Sequence, residues 1–173
     1  MNQKYSSKNT SVNTKQFPAI YGKINWKLLA EDLRKKNSRY EYGFIPMLDY
    51  GSGRENPDID RIMHENGFHR NKYDPYWISE MNNISALLYP KEVIVCSNVL
   101  NVLKEYSYAV HVMLAKMGIP YFITVYEGDG TGIGKQSKPD CWQRNERAKE
   151  YLFRDEVLYK GVITDAQWKK YIL

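Results

Sequence analysis

The first part of the chain alternates amphipathic segments with short apolar runs. Residues 25–36 place apolar side chains at helical spacing, and the run at 44–49 (FIPMLD) lies between glycines, as expected of a buried strand. Asn56 provides a helix N-cap and Pro57 the first helical position, while Gly67 provides the stop. The pattern therefore predicts a helix, a strand, a glycine turn and a second helix.

The middle of the chain continues this alternation. Residues 68–74 (FHRNKYD) resemble a second strand, and 91–100 (KEVIVCSNVL) contain the unbroken apolar run of a strand that is buried on both faces. A helical stripe over 103–117 ends at Gly118, and 121–127 (YFITVYE) follow as another buried strand. This order predicts an α/β fold, a three-layer Rossmann-like sandwich with a mainly parallel central sheet.

The two ends of the chain differ in pattern. Residues 1–20 form a polar N-terminal segment, for which we expect either a tail or a cover over a ligand, and 21–173 form a single domain. Residues 141–153 are predicted as a last main helix. Residues 156–163 (EVLYKGVI) are predicted as an edge strand that precedes a short terminal helix.

A glycine turn follows the first predicted strand. In an open parallel sheet, ligands bind beyond the carboxyl ends of the strands, and the sequence DYGSGRE falls at that place. The turn lacks the third glycine of the dinucleotide fingerprint, where Asn56 stands instead. Asp74 ends the second strand about 20 residues later, the spacing of an acidic residue that binds ribose hydroxyls. These features predict a site for an adenosine-containing ligand.

Asp49 bears on the choice between such ligands. A carboxylate at the end of the first strand would repel the pyrophosphate of a dinucleotide, whereas it would attract an ammonium and a sulfonium group. The predicted cofactor is therefore S-adenosylmethionine.

Several short motifs resemble those of a known family. LDYGSG, YDPYW and VIVCSNVLNVL resemble motifs of the class I S-adenosylmethionine-dependent methyltransferases. Together with NTSVN and VYEGDGTGIG, they also resemble small methyltransferase-like proteins of bacteriophages and mobile elements. The resemblance implies that cofactor-binding residues are Asp49, Tyr50, Gly51, Ser52, Gly53, Asp74, Pro75, Tyr76, Ser97 and Asn98. Among these, the glycine turn would approach the methionine part, Asp74 the ribose, and Pro75 and Tyr76 the adenine.

A second glycine-rich run, at residues 125–138, invites comparison with a phosphate-binding loop. It does not match, because Gln136 stands where Ser or Thr would bind magnesium and Pro139 interrupts the helix that should follow. We interpret it either as a loop that contacts the methyl acceptor or as a mobile connection. In the first case Glu127 and Asp129 are the candidate catalytic carboxylates.

Composition restricts partners and location only loosely. With 25 Lys and Arg against 20 Asp and Glu, the chain is compatible with nucleic acid as a partner, and no apolar run is long enough for a membrane span. No metal site is predicted, and a cytoplasmic location is expected, in a bacterial host cell if the protein is phage-encoded.

The predicted function is a methyltransferase whose acceptor is a nucleic acid, a protein or a small molecule, and the sequence specifies neither the acceptor nor the oligomeric state. The alternative is a protein that binds or cleaves S-adenosylmethionine without transferring a methyl group.

Overall fold

The computed structural model describes residues 19–53, 55–100, 103, 106–125, 135–138, 141–143 and 148–173, with only the backbone described at 19, 135–138 and 141–143. The four α-helices in these ranges are α1 (Trp26–Lys36), α2 (Pro57–Glu65), α3 (Glu80–Leu88) and α4 (Ser107–Ala115). The strands are β1 (Ile45–Tyr50), β2 (Phe68–Tyr73), β3 (Val93–Ser97), β4 (Tyr121–Thr124), β5 (Lys135–Lys138), β6 (Cys141–Gln143), β7 (Glu156–Tyr159) and β8 (Val162–Asp165). Short 3-10 helices cover Ala19–Gly22, Ser38–Tyr40, Ala148–Tyr151 and Ala166–Tyr171.

Six of the strands form one mixed sheet in the order β2-β1-β3-β4-β8-β7. The first four are parallel neighbours, while β8 is antiparallel to both β4 and β7. β5 and β6 form a separate antiparallel pair. The predicted α/β architecture with a mostly parallel core is thus confirmed.

Local signals explain where the first elements begin and end. The side chain of Asn25 accepts a hydrogen bond from the N–H of Leu28 at the start of α1. The side chain of Asn56 caps α2 in the same way ahead of Pro57, and Gly67 has the positive φ of 82° that suits a helix end. The predictions of α1, β1, α2 and β2 are confirmed to within a residue or two.

The sheet separates two hydrophobic cores. On one face, α1 and α2 bury residues such as Leu29, Ile59 and Met63 against β1 and β2. On the other face, Ala86 of α3 and Leu114 of α4 pack against residues such as Ile94 and Ile123. Since alternate residues of a strand point to opposite faces, β1 and β3 contribute to both cores. Within the described residues, no helix has the length and apolar character needed to cross a bilayer.

Two predictions about the later elements are wrong, and one helix was missed. The helix predicted over 141–153 is instead strand β6 at its start and a 3-10 helix over 148–151. The single edge strand predicted over 156–163 is a hairpin, because Lys160 and Gly161 both have positive φ (51° and 77°) and reverse the chain between β7 and β8. Helix α3 was not predicted at all.

Candidate functional site

The strand order reverses between β1 and β3. The chain leaves β1 toward β2 on one side and returns to β3 on the other, so the connections that follow β1 and β3 lead to opposite sides of this point. Such a switch point is the usual ligand crevice of an open α/β sheet. The residues that follow these two strands are Gly51–Gly53 and Asn98, which the sequence predicted as site residues.

The glycine turn is tied to the end of the neighbouring strand. The N–H groups of Gly51 and Ser52 both donate to the carbonyl oxygen of Tyr73, at 2.7 and 3.1 Å. The N–H of Gly53 donates to Oδ2 of Asp74 at 3.0 Å. Gly51 and Gly53 have φ of 76° and 69°, which glycine adopts without steric cost. The turn is therefore held by β2 and does not depend on a ligand for its shape.

Close packing, in addition to its positive φ, requires glycine at position 51. A Cβ built on it would lie 2.1 Å from Cγ2 of Val99, the residue after Asn98. The loops that follow β1 and β3 therefore touch at this point, and any larger residue at 51 would force them apart. The side chain of Val99 thus packs directly on Gly51 at the switch point.

Asp74 lies beside the glycine turn, as predicted. Its Oδ1 accepts the N–H of Tyr76 at 2.9 Å, while its own N–H and C=O bond to the side chain of Asn83 at 2.8 and 3.1 Å. Burial raises the pKa of Asp74, and hydrogen bonds from the N–H groups of Tyr76, Gly53 and Trp77 offset this only in part. The carboxylate is buried and organises two loops, so its contact with a ribose stays a prediction.

The structure gives Asp49 a partner that the sequence argument did not foresee. Its carboxylate lies on the α1 and α2 side of the sheet, where Oδ2 accepts hydrogen bonds from Nε of Arg70 at 2.7 Å and from the hydroxyl of Tyr21 at 2.5 Å. Arg70 is buried as well and also donates to Asp60 at 2.9 Å. Because the guanidinium balances the charge of Asp49, this carboxylate is not the free negative charge that the sequence led us to expect.

The remaining predicted cofactor residues surround the same edge of the sheet. Tyr50 is buried and stacks on Tyr73 with ring centroids 4.7 Å apart, and burial raises the pKa of its hydroxyl. Pro75 and Tyr76 are exposed next to Asp74. The site thus has a packed tyrosine pair beneath it and an exposed ring at its border.

The end of β3 contributes polar groups. The hydroxyl of Ser97 lies 3.3 Å from that of Thr124, and the N–H of Asn98 donates to the carbonyl of Thr124 at 2.8 Å. Asn98 is exposed and has a positive φ of 57°, which asparagine tolerates better than most residues. Ser97 and Asn98 are therefore linked to Thr124 where β3 and β4 end.

Other predicted residues lie elsewhere. Glu127 and Asp129 are outside the described residues, as is the NTSVN segment at 9–13. Cys96 is fully buried and free, and burial raises the pKa of its thiol, in keeping with a packing role.

The turn also differs from a phosphate-binding loop in its hydrogen bonds. The three N–H groups of residues 51–53 are all used within the protein, and Oδ1 of Asn56 accepts the N–H groups of Asp58 and Ile59 at the start of α2. Pyrophosphate sites rely on such N–H groups pointing at the ligand. By contrast, the buried hydroxyl of Ser52 has no partner among the described residues. The described part of the turn suits a ligand without phosphates better than a dinucleotide.

Sequence reasoning missed four residues that shape this site: Tyr21, Arg70, Asn83 and Thr124. Arg70 had a visible signal, since it shares the core-facing side of β2 with Phe68 and a buried arginine requires an acidic partner. Asn83 had none, because its role depends on a helix that the pattern did not reveal.

Comparisons of the chain with protein-family models, curated proteins and solved structures gave no match.

Proposed function

We propose that the chain binds S-adenosylmethionine in the crevice above β1, β2 and β3 and acts as an S-adenosylmethionine-dependent methyltransferase in a three-layer Rossmann-like fold. The observation that carries the proposal is a left-handed glycine turn bonded directly to a buried carboxylate at the switch point of the sheet. The motif resemblance supports it independently of the geometry.

Since Asp49 is paired with Arg70, the choice of this cofactor rests on the hydrogen bonds of the glycine turn. The pyrophosphate of a dinucleotide would need free backbone N–H groups, but those of the turn already donate to Tyr73 and Asp74. S-adenosylmethionine carries no phosphate, and the hydroxyl of Ser52 is suited to a polar group of its methionine part. In this proposal the ring of Tyr76 borders the adenine and Asn98 lines the path toward the acceptor.

Methyl transfer from a sulfonium is a direct displacement. The protein must align the acceptor with the methyl group and exclude water, and it needs a base only for a protonated acceptor. Glu127 and Asp129 are the proposed carboxylates for that step. Replacing both by their amides should leave cofactor affinity within about 1 kcal/mol while lowering product formation tenfold or more.

Calorimetry with S-adenosylmethionine and its demethylated product tests binding. We expect saturable binding that Ser52→Ala weakens roughly threefold to tenfold by removing one hydrogen-bonding group. Asp58→Asn, which changes an exposed carboxylate at the start of α2, is the matched control and should bind within twofold. NADH should bind much more weakly, and tight NADH binding or no binding of S-adenosylmethionine would overturn the proposal.

Isotope-labelled cofactor then separates transfer from the alternative. The protein is incubated with methyl-labelled S-adenosylmethionine alone and afterwards with nucleic acid, protein extract or small metabolites. Label that moves to an acceptor supports a methyltransferase. Breakdown of the cofactor without an acceptor, or binding with no turnover, supports the alternative function, in which the protein binds or cleaves S-adenosylmethionine without transferring a methyl group.

A further inference from the structure

Helix α3 buries an unusual pair of residues. Its buried positions are Asn83 and Ala86, while larger apolar residues such as Met81 and Leu88 are exposed. A helix that packs on a sheet usually does so through a stripe of large apolar side chains. The burial of Asn83 is therefore explained by its hydrogen bonds and not by apolar packing.

The side chain of Asn83 binds the loop 74–79, which connects β2 to α3, at three points. Its Oδ1 accepts the N–H of Asp74 at 2.8 Å, and its Nδ2 donates to the carbonyl oxygens of Asp74 at 3.1 Å and of Ile78 at 3.0 Å. Both N–H groups of the amide are thus used on a buried side chain. Asn83 fixes the backbone on both sides of Asp74 and also the later part of the loop.

Asp74 connects Asn83 to the glycine turn at the switch point. Its carboxylate accepts the N–H of Gly53 at 3.0 Å and the N–H of Tyr76 at 2.9 Å. A buried network whose members are all hydrogen-bonded holds its groups in one arrangement. Asn83, Asp74 and Gly53 therefore form a continuous series of hydrogen-bonded groups from α3 to the turn.

We propose that Asn83 is a positioning residue for the ligand that binds at the switch point. It acts through Asp74, which holds the glycine turn and Tyr76, and it does not itself contact the ligand. A turn that is already ordered loses less conformational entropy when a ligand binds, so loss of the amide should lower affinity. The identity of the ligand, S-adenosylmethionine, rests on the proposed function.

Two variants of α3 separate this role from a general contribution to the stability of the helix. Ala86→Gly lowers the helix propensity at the other buried position but keeps the hydrogen bonds of Asn83. Asn82→Ala removes the same amide group from the exposed neighbouring residue. Both variants are therefore matched controls for Asn83→Ala.

Calorimetry with S-adenosylmethionine compares the affinities. Asn83→Ala should weaken binding about tenfold or more, and Asn83→Ser, which retains one hydroxyl group, should have a smaller effect. Asn82→Ala and Ala86→Gly should bind within twofold of the wild type. When Asp74→Ala is already present, Asn83→Ala should weaken binding little further, because it acts through Asp74. An equal loss of affinity in Ala86→Gly and Asn83→Ala would overturn the inference.

Amide hydrogen exchange of the protein without ligand tests the hydrogen bonds separately. In the wild type we expect slow exchange at Asp74, which Asn83 bonds directly, and at Gly53, which it reaches only through Asp74. Asn83→Ala should speed exchange at both about tenfold or more, whereas Asn82→Ala should leave both unchanged.

The two measurements distinguish failure of the inference from failure of the proposed function. Exchange at Gly53 that Asn83→Ala does not change would overturn the inference, even if S-adenosylmethionine binds. Exchange that follows the expected pattern in a protein that does not bind S-adenosylmethionine would overturn the proposed function alone. Circular dichroism checks folding. If Asn83→Ala does not fold, the test uses Asn83→Ser and the wild type, in which fast exchange at Gly53 and Asp74 would contradict the inference.

Discussion

The helices on the two faces of the central sheet differ in how many charged residues they carry. The face with α1 and α2 carries many charged residues on the outside of its helices, six of them on α1 alone. Helices α3 and α4 themselves carry a single one, Glu80. Each face nevertheless encloses buried polar side chains, and one cluster on each side is compared below. Surface charge therefore says little about where polar groups are buried in this fold.

The two clusters differ in kind. Beneath α1 and α2, the guanidinium of Arg70 binds Asp49 and Asp60, and arginine keeps its charge at any ordinary pH. Beneath α4, the carboxylate of Glu156 accepts hydrogen bonds from Nε2 of His111 at 2.9 Å and from the hydroxyl of Tyr121. Because an ionised carboxylate only accepts, the Nε2 atom of His111 carries the proton in this contact. The first cluster is built around a cation that keeps its charge, whereas the second depends on the ionisation of Glu156.

The largest expected effect comes from removing the cation of the first cluster. Arg70→Met leaves the carboxylate of Asp49 buried without its counterion, so the free energy of unfolding should fall by about 3–5 kcal/mol. Urea denaturation measures this. Lys72→Met, which breaks more exposed ion pairs with Glu55 and Asp60, is the control and should cost less than about 1 kcal/mol.

The double variant Arg70→Met with Asp49→Leu sharpens the comparison. If the cost of Arg70→Met comes from the orphaned charge, removing that charge should recover part of the lost stability. If the double variant instead loses the sum of the two single variants' losses in free energy of unfolding, the orphaned charge is not the cause of the cost of Arg70→Met.

The second cluster should tolerate change better. Glu156→Gln keeps the shape but places an amide N–H group near the N–H of Phe153, which donates to Oε2 at 2.8 Å in the wild type. We expect a loss of about 1–3 kcal/mol by urea denaturation, the usual scale for one buried unsatisfied group. Tyr121→Phe removes one hydrogen bond and should cost about 1 kcal/mol. A larger effect at Tyr121 than at Glu156 would contradict this order.

The cluster around Glu156 should also make the free energy of unfolding depend on pH. Burial alone would raise the pKa of Glu156, but hydrogen bonds from His111, Tyr121 and the N–H of Phe153 together lower it below the ordinary value of 4.5. Its contribution to stability is therefore complete above that value and is lost as pH falls through the lowered pKa of the folded state. The difference in stability between the wild type and Glu156→Gln should shrink between pH 5 and pH 3. A difference that stays constant over this range would exclude the linkage.

The smallest effect is expected on the outside of α3. Leu88→Gln should change the free energy of unfolding by no more than about 0.5 kcal/mol, because the side chain is exposed. Leu29→Ala, at a fully buried position of α1, should cost about 2–5 kcal/mol. Urea denaturation of both variants makes the comparison. A large loss for Leu88→Gln would place this residue in the core.

Much of the fold on the α1 and α2 side could be predicted because local signals and packing agree there. Asn56 and Pro57 start α2 where its apolar residues point to the sheet, and Gly67 follows its end in the expected conformation. Helix α3 was missed for the opposite reason. Its buried positions are Asn83 and Ala86 and its apolar stripe faces solvent, so the pattern does not describe a helix packed on a core.

The same contrast applies to the candidate site. The positions of Gly51 and Asp74 were predictable, since they follow from strand ends in a parallel sheet. The partners of Asp49 were not, because Tyr21 and Arg70 reach it from parts of the chain that only the fold brings together. The hairpin after residue 156 was also missed, since Lys160 adopts a positive φ that its residue type does not signal.

Contacts between the start and the end of the domain bear on the order in which it is assembled during synthesis. Ile24 pairs with Ile172, the N–H of Asn25 donates to the carbonyl of Tyr171 at 2.7 Å, and Lys170 reaches Asp32 at 2.8 Å. A ribosome produces roughly 5–20 residues per second, so the segment before α1 waits many seconds for partners translated last. During that interval the nascent chain exposes residues that the folded domain buries, such as Ile24, and exposed apolar surface of this kind promotes aggregation.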